Sequence, residues 1–397
     1  MPHRRSIELA LLVCAVHPVA APADTTLLLS AGAEYSYNTN VFDVQSGYPA
    51  PGLNPASGYG DAYTSYSAEF DLSYQSAQQK LHADLSGSDF RYQKFTQLNR
   101  REYKLDVGWS GTFWSAWNGS FALVRDRTMV PFIYLTGTTT LSVTTMQREQ
   151  AGLGVQFLPR WRTEASGYSS DTDWPLPGEP DLRLKESEGE ASLKYLGTGP
   201  VVSGVRVAYL TGTYSGSTDP ELNTSYHQWS AGIVANYASG HSHLATNLSY
   251  TDRSSPGAQG ALNTISGLTA ILDYWNQISG KTSLSVNLTR AFTPYITNQS
   301  SSIDNIASLV LDWQATYRIH IRTSYAYDYA QFPGQGNNPT GSNRLDHLQT
   351  ATLGVDYEPR PWLSIRPYAS YQKRTSNFLG GNFDASVFGV KLTLSWQ

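Results

Sequence analysis

The stretch D-A-S-V-F-G-V-K-L-T-L-S-W-Q, residues 384–397, decides the fold of this chain. From residue 388 onward its large apolar residues share one parity, and glycine or polar residues fill the other; the apolar set is Phe388, Val390, Leu392, Leu394 and Trp396. A two-residue period over this length indicates a β-strand with one apolar and one polar face. An edge strand of a soluble β-sandwich would show the same alternation, so both interpretations stay open at this point.

The two ends of the chain favour a membrane barrel. A strand that closes on an aromatic residue resembles the C-terminal assembly signal of bacterial outer-membrane barrels, with the departure that Gln397 follows Trp396. At the other end, Arg4 and Arg5, an apolar stretch and Ala21-Pro22-Ala23 have the layout of a secretory signal peptide. We therefore predict a signal peptide over 1–23 and a thiol-free mature chain over 24–397, because Cys14 is the only cysteine.

Composition points the same way. The chain has 26 tyrosines and 10 tryptophans, which fits aromatic girdles at the two membrane interfaces. The formal net charge of −4 gives no electrostatic case for binding nucleic acid.

Read for alternation, the mature chain contains eighteen segments of strand length. They are 27–42, 62–76, 80–93, 101–114, 117–129, 144–157, 161–172, 183–196, 202–214, 224–237, 242–252, 262–275, 280–292, 303–316, 319–331, 344–357, 362–374 and 383–396. In 80–93 the apolar residues Leu81, Ala83 and Leu85 change phase with Phe90 and Tyr92, so we expect a slip there.

The connections between these segments alternate in length. Long ones such as 43–61, 130–143 and 332–343 follow odd-numbered segments, and short turns such as Ser115-Ala116 and Tyr317-Arg318 follow even-numbered ones. Outer-membrane barrels have this asymmetry, with short periplasmic turns and longer extracellular loops, and a soluble sandwich has no reason for it. We predict an all-β fold: one transmembrane antiparallel β-barrel of about 18 strands in the outer membrane of a Gram-negative bacterium.

Parity then assigns a polar, inward face to each strand, because a charge on the lipid face at mid-depth costs roughly 2–4 kcal/mol. In 101–114 we predict that Val107 and its apolar parity face lipid. The pore-lining candidates are Glu102, Lys104, Asp106, Arg162, Tyr168, Glu186, Glu188, Glu190, Arg206, Arg322, Asp328, Arg366, Tyr368 and Arg374. Phe90 and Tyr92 are further inward aromatic candidates.

Two interpretations of the glutamate ladder Glu186, Glu188 and Glu190 stay open. It is either an acidic track for cations or hydroxyl-rich ligands, or a solvated wall that pairs with Arg206 and Arg162 on the neighbouring strands. No nucleophile elbow stands out, and His241 and His243 are too few ligands for a metal site. We predict no enzymatic activity, no catalytic residues, no metal and no cofactor.

Three short stretches resemble the EpsL-type family, outer-membrane β-barrel proteins of exopolysaccharide operons. They are G-A-E-Y-S-Y-N-T-N-V-F (32–42), A-G-L-G-V-Q-F-L-P-R-W (151–161) and K-R-T-S-N-F (373–378) with the strand that follows. The resemblance implies export of a secreted exopolysaccharide through the outer membrane. It also implies as partners the polysaccharide chain, outer-membrane lipid, the barrel-assembly machinery and a separate periplasmic polysaccharide-export protein. The alternative function is a general or substrate-selective porin for small solutes.

Overall fold

The computed structural model describes residues 24–47, 58–114, 116–132, 139–175, 182–218, 223–255, 264–295, 300–333 and 343–396. The predicted signal peptide, residues 1–23, lies outside this part of the chain. Within the described part, no helix is long and apolar enough to cross a membrane.

Eighteen strands form one sheet that closes on itself. They are β1 (Asp24–Asn38), β2 (Asp61–Gln75), β3 (Gln79–Tyr92), β4 (Arg100–Phe113), β5 (Trp117–Met129), β6 (Val143–Leu158), β7 (Trp161–Asp173), β8 (Arg183–Leu196), β9 (Val201–Ser215), β10 (Ser225–Ala238), β11 (Ser242–Ser254), β12 (Thr264–Ser279), β13 (Thr282–Tyr295), β14 (Ser300–Thr316), β15 (Ile319–Phe332), β16 (Arg344–Arg360), β17 (Leu363–Ser376) and β18 (Phe383–Trp396). The predicted strand count is confirmed.

Each strand pairs antiparallel with its neighbours in sequence, and β1 pairs with β18 to close the barrel. In the closing pair Tyr35 lies opposite Val390 and Ala33 opposite Leu392, so the apolar parity of β18 meets the apolar parity of β1. Closure pairs every strand edge, and a sheet without edges is what a lipid environment requires.

The expected slip in 80–93 is wrong. β3 pairs without a register shift with β2 and with β4. Leu81 and Leu85 lie on the outer face, whereas Phe90 and Tyr92 have the opposite parity and lie on the inner face. The change of phase in the sequence therefore marks aromatic side chains in the lumen, where Arg100 packs on Phe90, its Cζ 4.2 Å from the ring centre.

The first strand ends earlier than predicted. β1 stops at Asn38, although Val41 continues its apolar parity. The Asn40 side chain explains the stop: its Oδ1 accepts a hydrogen bond from the amide of Val44 at 3.2 Å, which turns the backbone away from the sheet. Asp43 has a φ of 51°, which a continuing strand does not allow.

One face of the closed sheet is apolar and the other is polar. Exposed large apolar side chains lie on the outer parity of all parts of the barrel, among them Leu85 at 51%, Val205 at 55% and Phe388 at 56% exposed. In β4 the opposite parity carries Glu102, Lys104 and Asp106. A closed antiparallel barrel with an apolar outer face and a polar interior is an outer-membrane protein of the Gram-negative type.

The long connections all lie at one end of the barrel, which we call the outer mouth, and the short turns lie at the other, the turn end. Register shifts in the pairs β6–β7, β12–β13, β14–β15 and β16–β17 lie beside turns at the turn end. Among the lumen candidates, Arg162 lies next to such a shift, opposite Gln156.

Candidate functional site: the barrel lumen

The register places all fourteen candidates on the inner parity of the wall. Lys104 lies opposite Ser86 and Asp126, Arg206 opposite Ser192, and Arg322 opposite Asp312 and Gly354. Their placement on the inner face is geometric; that they line a conducting pore stays a prediction.

The glutamate ladder on β8 is divided among different partners. Glu190 accepts a hydrogen bond from Arg206 at 2.5 Å, which is the expected cross-strand pair. Glu186 accepts from the hydroxyl of Tyr226 and, at 3.5 Å, from Ser170. Glu188 has no hydrogen-bond or ion-pair partner among the described residues, and it lies opposite Tyr168.

Arg162 does not pair with the ladder, although one of the two open interpretations included that pair. Arg162 and Lys194 both pair with Glu164, at 2.7 Å and 2.5 Å, a residue that the sequence analysis did not single out. Glu164 lies closer to the turn end than the ladder, in line with Arg162 along β7, and it therefore takes both cations.

Two tyrosines and two arginines surround Glu186 and Glu188. The guanidinium of Arg148 lies 3.7 Å from the ring centre of Tyr168, and that of Arg253 lies 4.5 Å from the ring centre of Tyr226. Cation–π contacts of this kind hold a charged group over an aromatic face without neutralising it. We call these six residues the tyrosine–arginine patch: Arg148, Tyr168, Glu186, Glu188, Tyr226 and Arg253.

A glycine makes this patch possible. Tyr226 on β10 and Glu186 on β8 are separated by β9, where both lie opposite Gly212. A Cβ at Gly212 would lie 2.2 Å from the Tyr226 ring, so only glycine lets the ring cross β9 to reach Glu186. Leu184, Leu210 and Tyr214 pack beside the patch and are buried on the inner face.

The same arrangement occurs across the β1–β18 closure of the barrel. Tyr368 on β17 crosses β18 at Gly389 and donates a hydrogen bond to Glu34 on β1 at 2.6 Å. Ser36 also donates to Glu34, at 2.7 Å. Tyr63 packs beside Tyr92 with ring centres 5.1 Å apart and the rings tilted, which extends the aromatic surface from β17 to β3.

Apart from Asp328, which has no ion pair among the described residues, the remaining candidates are held in ion pairs. Glu102 accepts from Arg100 at 2.6 Å, and Arg322 lies 3.7 Å from Asp312. Arg366 pairs with Asp356. Near the outer mouth, Asp346 pairs with both Arg374 and Arg344, and all three side chains are buried. Asp328 lies on the same inner face, opposite Ile306 and Leu348.

A histidine and two aspartates also meet on the inner wall. The ligand atoms of His82, Asp84 and Asp106 lie within 4.8 Å of one another. Lys104 Nζ is 3.7 Å from Asp106, and His82 Nε2 is 3.3 Å from the same carboxylate. Lys104 thus offsets the charge of one of the two carboxylates, and His82 adds a hydrogen-bond contact to the same group.

Three outer connections meet in an apolar cluster at the mouth. Phe42 packs edge-on against Phe95 and Phe132, with ring centres 4.8 Å and 5.2 Å apart. Tyr92, on the inner parity of β3, packs against the same cluster. Asp61, also on the inner parity, accepts hydrogen bonds from the amides of Lys94 and Phe95. These contacts place the cluster on the lumen side of the mouth. We call it the mouth cluster: Val41, Phe42, Val44, Phe95, Leu98, Val130 and Phe132.

Several residues of these arrangements were missed by the sequence analysis, including Glu34, Tyr63, Arg148, Tyr226 and Arg253. Each has the inner parity of its strand, so alternation alone would have placed it on the lumen face. The signal that would have grouped them is an inward glycine on the strand between two polar inward residues, as Gly212 and Gly389 are.

Comparison with known proteins yields matches among solved structures only. No protein-family model matches the chain, and no curated protein matches it. The structure is similar to the outer membrane protein OpdK from Pseudomonas aeruginosa, with 13% identity, a TM-score of 0.45 and coverage of 94% of this chain and 99% of that chain.

Acinetobacter baumannii OccAB3 matches with 9% identity, a TM-score of 0.46 and coverage of 94% of this chain and 100% of that chain. Pseudomonas aeruginosa OccK2 (OpdF), solved in complex with glucuronate, matches with 11% identity, a TM-score of 0.47 and coverage of 94% and 99%. The EpsL-type resemblance gains no support from these comparisons. The assignment as an outer-membrane barrel rests on the strand closure and the apolar outer face.

Proposed function

We propose that the protein is a selective channel for small hydrophilic solutes. The observation that carries this proposal is the mouth cluster, in which apolar side chains from three connections pack on the lumen side of the entrance. Barrels of 16–18 strands leave an aqueous channel when the lumen is unobstructed. A packed cluster at the mouth narrows that path, which favours small solutes over a long polymer.

The wall chemistry supports the same proposal. Most lumen charges are paired over short distances, so the wall has no dominant sign. The tyrosine–arginine patch differs, because Arg148 and Arg253 lie over aromatic rings and Glu188 has no partner among the described residues. Such a patch offers donors, acceptors and a ring face to a passing solute, each contact weak enough to release it.

Export of an exopolysaccharide is the competing proposal. The inward aromatic surface formed by Tyr368, Tyr63 and Tyr92 favours it, because sugar rings stack their C–H faces on aromatic faces. In that function the barrel would work with a polysaccharide chain and a separate periplasmic export protein. In either function, outer-membrane lipid and the barrel-assembly machinery are its proposed partners.

Liposome swelling separates the two proposals. We expect liposomes that contain the folded protein to swell in solutions of monosaccharides and amino acids. In solutions of oligosaccharides, swelling should slow and then stop as the length of the oligosaccharide increases. A strain without the gene should lose uptake of small solutes and keep its secreted polysaccharide. Accumulation of periplasmic polysaccharide in that strain, with unchanged solute uptake, would contradict the solute-channel proposal and support polysaccharide export.

A further inference from the structure

Arg290 is one of several arginines on the lipid-facing side of the barrel, and it lies in a groove. Arg290 on β13 pairs with Ala270 and Asn305, and its parity is that of the exposed Leu288 and Leu309. The inner parity of the same strand carries Asn287 and Thr289, which hydrogen-bond each other. A cation on the lipid face is costly at mid-depth and much less costly near an interface, where an anionic head group can pair with it.

Protein groups do not neutralise this charge. Arg290 Nη1 donates to Asn305 Oδ1 at 2.6 Å, and Nε donates to the carbonyl oxygen of Leu268 at 2.9 Å. Both acceptors are uncharged. Among the described residues Arg290 has no carboxylate partner, and its Nη2 group has no acceptor. The guanidinium is held in place by neutral groups, with its charge and one donor group left for a ligand.

A groove of about 750 Å³ surrounds this arginine on the outer face. Small side chains, Ala270 and Ala307, lie between larger ones, so the surface is concave there. Leu248, Leu288 and Tyr327 line the sides. The groove thus places an apolar concave surface beside the cationic group of Arg290.

An aromatic group borders the groove beside the arginine. Tyr329 and His347 stack with ring centres 4.8 Å apart, and the Tyr327 hydroxyl lies 2.7 Å from His347 Nδ1. His347 lies near the start of β16, and Arg290 lies in the half of β13 that leads to the outer mouth. Aromatic residues at this height mark the interface where head groups of the outer leaflet lie.

We propose that this groove binds a membrane lipid whose head group carries a phosphate. The phosphate accepts hydrogen bonds from Arg290, since guanidinium and phosphate form strong charge-assisted pairs. An acyl chain lies over Ala270 and Ala307, against Leu288. Basic pockets at the membrane interface bind anionic head groups by the same chemistry.

Native mass spectrometry of the folded, delipidated protein with added lipid A, a phosphorylated glycolipid, tests the proposal. We expect Arg290→Gln to weaken lipid A binding about tenfold or more, which is the loss typical of a charge-assisted hydrogen bond. Arg125→Gln is the matched control, because Arg125 also has the outer parity but lies opposite Leu105, away from the groove. It should leave binding within about twofold of the wild type.

Two further arms identify the ligand chemistry. Dephosphorylated lipid A should bind the wild type as weakly as lipid A binds Arg290→Gln, and inorganic phosphate alone should not compete. Ala307→Trp, which fills the groove and keeps the arginine, should also reduce binding. Equal binding by the wild type and Arg290→Gln would overturn the proposal, and so would competition by inorganic phosphate or full binding by Ala307→Trp. Heat-modifiable gel mobility checks that each variant is folded.

Discussion

At the scale of the residue, consecutive side chains of a strand lie in different environments, one facing lipid and the next facing the aqueous lumen. Leu392 is 45% exposed on the outer face, and the next residue, Thr393, lies opposite Gly32 on the inner face. The tolerance of a position to charge therefore follows its parity, because only the inner face offers water and counter-charges.

Arginine substitutions on the two parities test this assignment. Val107 lies mid-way along β4 on the outer face, so Val107→Arg should destabilise the folded protein by roughly 2–4 kcal/mol. Leu392→Arg should destabilise it less, because Leu392 lies closer to an interface. Thr393→Arg should change the folding free energy by about 0.5 kcal/mol or less. Unfolding in urea, followed by the heat-modifiable gel shift, measures all three. Similar losses on both parities would show that the faces are wrongly assigned.

At the scale of the element, strands are easier to predict than their ends. Alternation is a local property, and all eighteen strands were found from it. The end of β1 was misplaced because Val41 continues the apolar parity of the strand, whereas the side chains of Val41 and Phe42 pack into the mouth cluster. The competing signal was Asn40, whose side chain hydrogen-bonds both the amide and the carbonyl oxygen of Val44. In a continuing strand, a neighbouring strand would form such hydrogen bonds.

Removal of that side chain should loosen the connection after β1. Asn40 Nδ2 donates to the carbonyl oxygens of Val44 at 2.8 Å and of Asp384 at 3.0 Å. Asn40→Ala leaves these buried groups without partners, so we expect the Val44 amide to exchange about 10- to 100-fold faster with deuterium. Asn223→Ala, in an exposed connection, is the control and should leave the exchange rate of Val44 unchanged. An unchanged rate at Val44 in Asn40→Ala would contradict the role given to Asn40.

At the scale of the whole molecule, strand parity predicts which residues lie on the inner face. The stagger, meaning the offset between neighbouring strands, determines which of those side chains contact one another. Tyr226 contacts Glu186 two strands away, and Tyr368 contacts Glu34 across the closure between β18 and β1. Neither contact can be predicted from alternation, because the stagger depends on how two strands pair and the sequence of one strand does not determine it. The mouth cluster likewise joins three connections that are distant in sequence. The fold was therefore predictable, whereas the shape of the lumen that decides the function was not.

Single-channel recording in a planar bilayer tests the central claim most directly, namely that this barrel is a channel narrowed at its mouth. The wild type should give discrete steps of ionic conductance. Phe132→Ala removes a ring that packs on Phe42 in the mouth cluster, so its steps should be larger. Phe121→Ala, on the exposed outer face, should give wild-type steps. Folded protein that inserts without conductance, or Phe132→Ala steps equal to those of the wild type, would contradict this account.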